Sequence, residues 1–392
     1  MTNFTRLLGG AAGEGRDLRY GQGAARATRG ALPDTGPVVV WNWTRSCNLS
    51  CEHCYASAVR GRVPGEMDTA EALKLIDEFA AMKVPALILS GGEPLARTDA
   101  LELLGAARAY GLRCTLSTNG TLITATRARR IAEAGVVYVG VSIDGPRDLH
   151  DRWRGRRGAY DRTIAGIGHL RALGVRVGLR FTLHAGNVDH VPAVLDLVEQ
   201  HDLQRICFYH LVPSGRGSGL DPLHLDRDRT RATLDLLLER TRRWLDEGRD
   251  VELLTVDNHS DGPYAQLWAE QFMPERAEAV GMLLARNGGN RSGRALVAID
   301  PQGRVHPDQF SPGVVLGDAR AKPLRAIWEE GNAELERFRD RSAHLRGRCA
   351  ACRWLAVCNG NLRARAAAAG DPWGPDPDCV LTDAEVAMAG AV

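Results

Sequence analysis

Apolar positions along the 392-residue chain alternate between two spacings. Short apolar runs at Val38–Trp43, Ala86–Ser90, Arg113–Ser117, Val136–Val141, Arg176–Leu183 and Arg205–Leu211 predict strands. Between them, Thr69–Met82, Ala100–Ala109, Ala125–Ala134, Tyr160–Leu173 and Val188–Gln200 place apolar residues at helical intervals. Strands and helices alternating at this spacing predict an α/β protein with parallel strands covered by helices. Six such units make a partial, open (β/α)6 barrel, smaller than the closed eight-unit form, with its chemistry at the carboxyl ends of the strands. Residues 1–36, rich in Gly, Ala and Arg, read as a flexible leader, and 37–225 as the barrel. Residues 226–290 read as a helical linker that contributes to the substrate site, and 291–392 as a second, cysteine-bearing domain.

Composition narrows the class. A formal net charge of +2 gives no basic stripe for nucleic acid, and no run of apolar residues is long enough to span a membrane. Nearly all the basic charge is arginine, with lysine only at Lys74, Lys83 and Lys322. Arginine forks onto carboxylates in a way lysine cannot. The nine cysteines cluster at two places, unlike a secreted disulfide framework, and the start of the chain lacks the apolar core of a signal peptide. These features predict a cytoplasmic protein in a reducing compartment.

The first cysteine group, Cys47-Asn48-Leu49-Ser50-Cys51-Glu52-His53-Cys54, follows the first strand directly with spacing C-x3-C-x2-C. Three thiolates on such a loop can hold one face of a four-iron cluster and leave one iron open for a substrate or cofactor; zinc sites normally close that position with protein. A zinc knuckle, or cysteines that are merely buried, is the bland alternative. Later strands end in Ser90-Gly91-Gly92-Glu93-Pro94, Leu116-Ser117-Thr118-Asn119-Gly120 and Val141-Ser142-Ile143-Asp144-Gly145. Two glycines permit close backbone approach, Glu93 offers an acceptor to an amine, and the short polar side chains suit a ribose and a carboxylate. Each stretch alone reads equally well as a turn.

Taken together these residues resemble the radical S-adenosylmethionine (SAM) superfamily. The cysteine loop, with the aromatic His53 before its third cysteine, resembles that family's cluster motif, and Gly91–Pro94 its methionine-amine motif. The resemblance implies that Cys47, Cys51 and Cys54 ligate a 4Fe–4S cluster whose open iron binds SAM. Reductive cleavage then yields a 5′-deoxyadenosyl radical. It also places Asn119, Ser142 and Asp144 near SAM, with Arg154 and Arg180 as partners for its carboxylate. Cys349, Cys352, Cys358 and Cys379, after a strand-turn-strand at 295–306, resemble the SPASM or Twitch extension that carries auxiliary clusters. Asp308 and Leu362 stand where a full SPASM domain has further cysteines, so one auxiliary 4Fe–4S cluster is expected, and a four-cysteine zinc site is the alternative. Cys114 and Cys207, inside strand-like runs, read as buried apolar residues.

The stretches Phe208–Gly217, Asp257–Tyr264, Asn287–Asn290 and His306–Phe310 resemble the NirJ family of heme d1 biosynthesis and its relatives in the alternative heme pathway. That likeness implies a tetrapyrrole substrate, 12,18-didecarboxysiroheme, loss of its propionate side chains, and an external electron donor. His210, His259 and His306 are then candidates for iron or carboxylate contacts, with ordinary hydrogen-bonded histidines as the alternative. Arg216 is the expected propionate clamp, with a loop-stabilising ion pair as its alternative. A related heme-pathway enzyme acting on another side chain, or a SPASM peptide maturase, remains open; a leader this short and Gly-rich does not read as a peptide-docking fold.

Overall fold

The computed structural model describes residues 1–10, 16–21 and 29–387. Seven parallel strands run in the order β2 (Val38–Asn42), β3 (Leu87–Ser90), β4 (Cys114–Thr118), β5 (Tyr138–Ser142), β6 (Val177–Leu183), β7 (Arg205–His210) and β8 (Glu252–Val256). The six predicted strands are all present, and each crossover is helical, as buried parallel strands require. The core lies between strands and helices; Trp41 packs edge-on against Phe79 of the helix Thr69–Ala81. That helix begins at a capping box in which Asp68 and Glu71 satisfy each other's backbone N–H groups.

Three departures from the sequence reading shape the site. First, the leader is not flexible at its start. Thr2–Asn3 forms β1, pairing antiparallel with β8, and the following turns of helix bury Phe4, Leu7 and Leu8. The Gly, Ala and Arg composition of the first 36 residues conceals this short amphipathic start. The rest of the predicted leader lies partly outside the described residues. Second, the segment 226–290 is not purely helical, because β8 adds a seventh parallel strand to the barrel. Third, the second domain is not separate in its sheet. β9 (Leu296–Ile299) pairs in parallel with β2, and β10 (Arg304–His306) and β11 (Gly317–Asp318) continue outward. The result is one eleven-stranded sheet with β1 at one end and β11 at the other. Among the described residues no helix is long and apolar enough to cross a membrane.

Candidate active site

The barrel interior is a cavity of about 460 Å³. Its wall includes the three clustered cysteines, the ends of β3 to β8, and residues 308–310 and Leu362 from the cysteine-bearing domain. The cysteine loop leaves β2 and is pinned from three sides. From the β3 end, Gly92 N donates to Thr44 O (2.7 Å) and Glu93 N to Ser46 O (2.8 Å). From the segment after β5, Arg154 O and Trp153 O accept from Ser50 N and Glu52 N. From the loop after β7, Arg216 donates through Nε to Cys51 O and through Nη1 to Ala58 O, both at 2.8 Å.

The two glycines of the Gly-Gly-Glu stretch are there for this contact. A Cβ on Gly91, whose φ is +132°, would sit 2.3 Å from Thr44 O, and one on Gly92 would sit 2.4 Å from Ser46 O. Side chains there would push the cysteine loop away from β3.

The sulfurs carry hydrogen-bond donors suited to thiolate charge. Cys47 Sγ accepts from Leu49 N (3.4 Å) and lies 3.8 Å from Asn119 Nδ2. Cys51 Sγ faces Arg154 Nη1 at 3.6 Å, and Cys54 Sγ accepts from Ala58 N at 3.5 Å. Burial pushes the Cys47 thiol up to about 12, and burial also raises Cys51 against the pull of Arg154. Protonated, these thiols are poor ligands; a cationic iron centre supplies the charge that holds them as thiolates. Three sulfurs with N–H donors on a cavity wall therefore fit a cluster with one open position. The second cysteine group has the same chemistry. Cys352 Sγ accepts from Trp354 N, and backbone N–H groups of Asn361 and Leu381 serve Cys358 and Cys379. Cys349 lies close enough to raise the proton affinity of Cys352, Cys358 and Cys379. The four thiols are therefore near enough to couple electrostatically.

Not every predicted contact reaches the cavity. Gly91, Gly92, Ser142, Asn119, Arg154, Arg180 and His53 line it. Glu93 does not present its carboxylate to an amine in this geometry. It is fully buried and accepts from Thr118 Oγ1 (2.7 Å), Leu95 N (3.1 Å) and Asn119 N (2.8 Å), tying the ends of β3 and β4 together. Pro94, the first residue of the turn after it, is buried and off the wall. Asp144 is also fully buried and committed to Arg154 Nε (2.6 Å) and His53 Nε2 (3.5 Å). Burial alone would raise its carboxyl; Arg154 and then His53 reverse this and hold it below the usual range. Asp144 thus orients the arginine that touches Cys51. Arg180 lies 4.2 Å over the Tyr209 ring, and none of the described carboxylates forms an ion pair with it.

The tetrapyrrole candidates separate in the same way. His210 and His259 line the cavity, whereas His306 is turned into its own hairpin, bonded to Val314 O (2.9 Å) and near Asp300 (3.4 Å). Arg216 lines the cavity; its Nε and Nη1 bond carbonyls of the cysteine loop rather than forming the ion pair named as the alternative, and Nη2 is left without a partner. Cys114 is buried as expected; Cys207, also buried, reaches the cavity between Arg180 and Arg205. Asp308 is buried on the cavity wall, with Oδ1 accepting from Phe310 N and Oδ2 without a partner. Tyr55, directly after the cysteine loop, bonds Asn42 and Ser90 and packs its ring 5.4 Å from Phe310. Neither Asp308 nor Tyr55 carries a sequence signal for this role beyond its position beside a motif.

Comparison with known proteins agrees with this geometry. Residues 41–198 match the Radical SAM superfamily model, and residues 291–353 match SPASM, an iron–sulfur cluster-binding domain. The chain is 43% identical to the Fe-coproporphyrin III synthase of Methanosarcina barkeri, over 98% of this chain and 99% of the relative. It is 41% identical to the pre-heme d1 synthase of Dinoroseobacter shibae, over 90% of this chain and 88% of the relative. Among solved structures, Streptococcus suis SuiB bound to S-adenosylmethionine superposes with a TM-score of 0.71 at 17% identity, covering 89% of this chain and 78% of that one. This last likeness concerns the fold alone.

Proposed function

The chain belongs to the radical SAM superfamily, in its SPASM-bearing heme-synthesis branch, and from that premise we propose that it removes carboxylate-bearing side chains from 12,18-didecarboxysiroheme. The observation that carries this reading is the shared cavity. The open face of the cysteine loop, the Arg180 guanidinium and an apolar wall of Val212, Phe310 and Leu362 all border one space. A flat, carboxylate-rich macrocycle needs such a wall beside such a cation.

When bound, SAM and the cluster held by Cys47, Cys51 and Cys54 supply a radical that abstracts a substrate hydrogen. The protein's part is placement. Ser142, Asn119, Gly91 and Gly92 give polar groups and backbone room beside the loop for SAM. Asp144 keeps Arg154 charged and aimed at Cys51. The Cys349, Cys352, Cys358 and Cys379 site holds a second 4Fe–4S cluster, and an external donor provides electrons. On this reading propionate side chains leave, as the likeness to pre-heme d1 synthase implies. A second reading, removal of acetate side chains, is favoured by the fuller alignment with the Fe-coproporphyrin III synthase.

The test is anaerobic incubation of reconstituted protein with SAM, reductant and 12,18-didecarboxysiroheme, followed by mass analysis of the tetrapyrrole. Loss of whole propionate chains supports the first reading; loss of whole acetate chains supports the second. Deoxyadenosine formed without either rejects the substrate and keeps the enzyme class. Iron near eight per chain is expected for two four-iron clusters, whereas about four plus zinc would reject the second cluster.

A further inference from the structure

Besides His53, which is paired with Asp144, two histidines face the cavity, and they differ in how their rings are held. His259 turns Nδ1 toward the Met1 amino group at 3.5 Å. His210, the last residue of β7, places Nε2 2.9 Å from Asp261 Oδ2, the first residue of the helix Asp261–Phe272. Asp261 is fully buried, and its other oxygen has no partner. A carboxylate can only accept here, so Nε2 carries the ring proton and Nδ1 carries the lone pair. Among the described residues Nδ1 has no hydrogen-bond partner, and the ring borders the cavity. A buried carboxylate that fixes a histidine tautomer and leaves the second nitrogen open is the arrangement by which proteins orient metal-ligating imidazoles.

The surroundings suit an iron macrocycle. Val212, two residues beyond His210, packs with Phe310, Leu362 and Tyr55 into an apolar surface. Tyr209, the residue before it, carries the Arg180 guanidinium. An imidazole nitrogen, an apolar face and a cation therefore meet along the end of one strand.

We propose that His210, oriented by Asp261, is the axial ligand of the iron in the tetrapyrrole substrate. The inference rests on the tetrapyrrole reading above and assigns the iron to one side chain within it. His210 would set the depth and tilt of the macrocycle and so decide which side chains face the radical source.

The test titrates iron(III) coproporphyrin III and metal-free coproporphyrin III into the cluster-loaded full chain, following the Soret band and the iron electron paramagnetic resonance signal. The wild type is expected to bind the iron form at least ~10-fold tighter, with a histidine-ligated spectrum. His210→Ala should abolish that preference and that spectrum, leave metal-free binding unchanged, and regain the spectrum with added imidazole. Asp261→Asn should retain ligation with iron-form affinity reduced roughly 10- to 100-fold. Unchanged metal-free binding shows that both variants are folded. His306→Ala, off the cavity wall, should leave the spectrum as in the wild type. An unaltered iron spectrum in His210→Ala overturns the ligand assignment and leaves the tetrapyrrole reading standing. Failure of the wild type to bind either porphyrin overturns both.

Discussion

Replacing Glu93 by Gln separates a cofactor ligand from a structural tie. The carboxylate takes three donors: Thr118 Oγ1 and Leu95 N on Oε1, and Asn119 N on Oε2. A glutamine keeps one acceptor oxygen. Placed at Oε1 it retains Thr118 and Leu95, and its NH2 then confronts the Asn119 N–H. One buried donor is left without an acceptor, at a cost of about 1–3 kcal/mol. Burial raises the Glu93 carboxyl above its usual range, so the substitution also removes a buried charge, which sets the expected loss at the lower end. Hydrogen exchange of the SAM-free protein reads the effect locally. The Asn119 amide should exchange roughly 5- to 10-fold faster, while amides of the distant helix Arg227–Asp246 stay as they are. If Asn119 exchange is unchanged and SAM affinity falls instead, the carboxylate serves the SAM amine directly and the tie between β3 and β4 is not its role.

Four further outcomes follow from the same geometry. Gly92→Ala would bring a methyl group within 2.4 Å of Ser46 O and 2.6 Å of Arg45 O, so the variant should lose cluster iron on desalting, and full iron retention would contradict the contact. Arg216→Lys loses the fork onto Cys51 O and Ala58 O; its cluster should bleach faster under chelator with porphyrin affinity unchanged, and the reverse pattern would assign Arg216 to the substrate instead. Burial raises the Asp257 carboxyl to about 6, above its unfolded value, so the folded state binds the extra proton and stability falls as pH rises from about 4 to about 6. Asp257→Asn, which tolerates the positive φ at this position, should therefore stabilise the protein by roughly 3 kcal/mol at pH 8 and little at pH 4, and an equal effect at both values would refute the assignment. Arg365→Ala strands the buried Asp376, 2.9 Å away in the cysteine-bearing domain, and should cost about 3–5 kcal/mol in urea unfolding; a loss under about 1 kcal/mol would show the pair to be dispensable.

Much of this protein was determined by its sequence alone. The alternation of strand and helix periods predicts the barrel because each period fixes which face of an element is apolar, and apolar faces must find each other. The cysteine spacings localise two thiol groups, Cys47–Cys54 and Cys349–Cys358, because residues so near in the chain cannot be far apart in space, whereas Cys379 is brought to the second group by the fold. Other features depend on residues distant in the chain, and only the tertiary structure decides them. Glu93 and Asp144 read as cofactor contacts, yet Thr118 and Asn119 claim the first while Arg154 and His53 claim the second. Arg216 reads as a substrate clamp, yet Cys51 O and Ala58 O take two of its nitrogens and leave only Nη2 open. The opening residues look featureless until β8, some 250 positions later, offers Thr2 and Asn3 a pairing edge. His210 acquires its tautomer only from Asp261, on a separate helix. Which residue types are present is local information, but which of their atoms remain open for chemistry depends on the partners that folding brings to them.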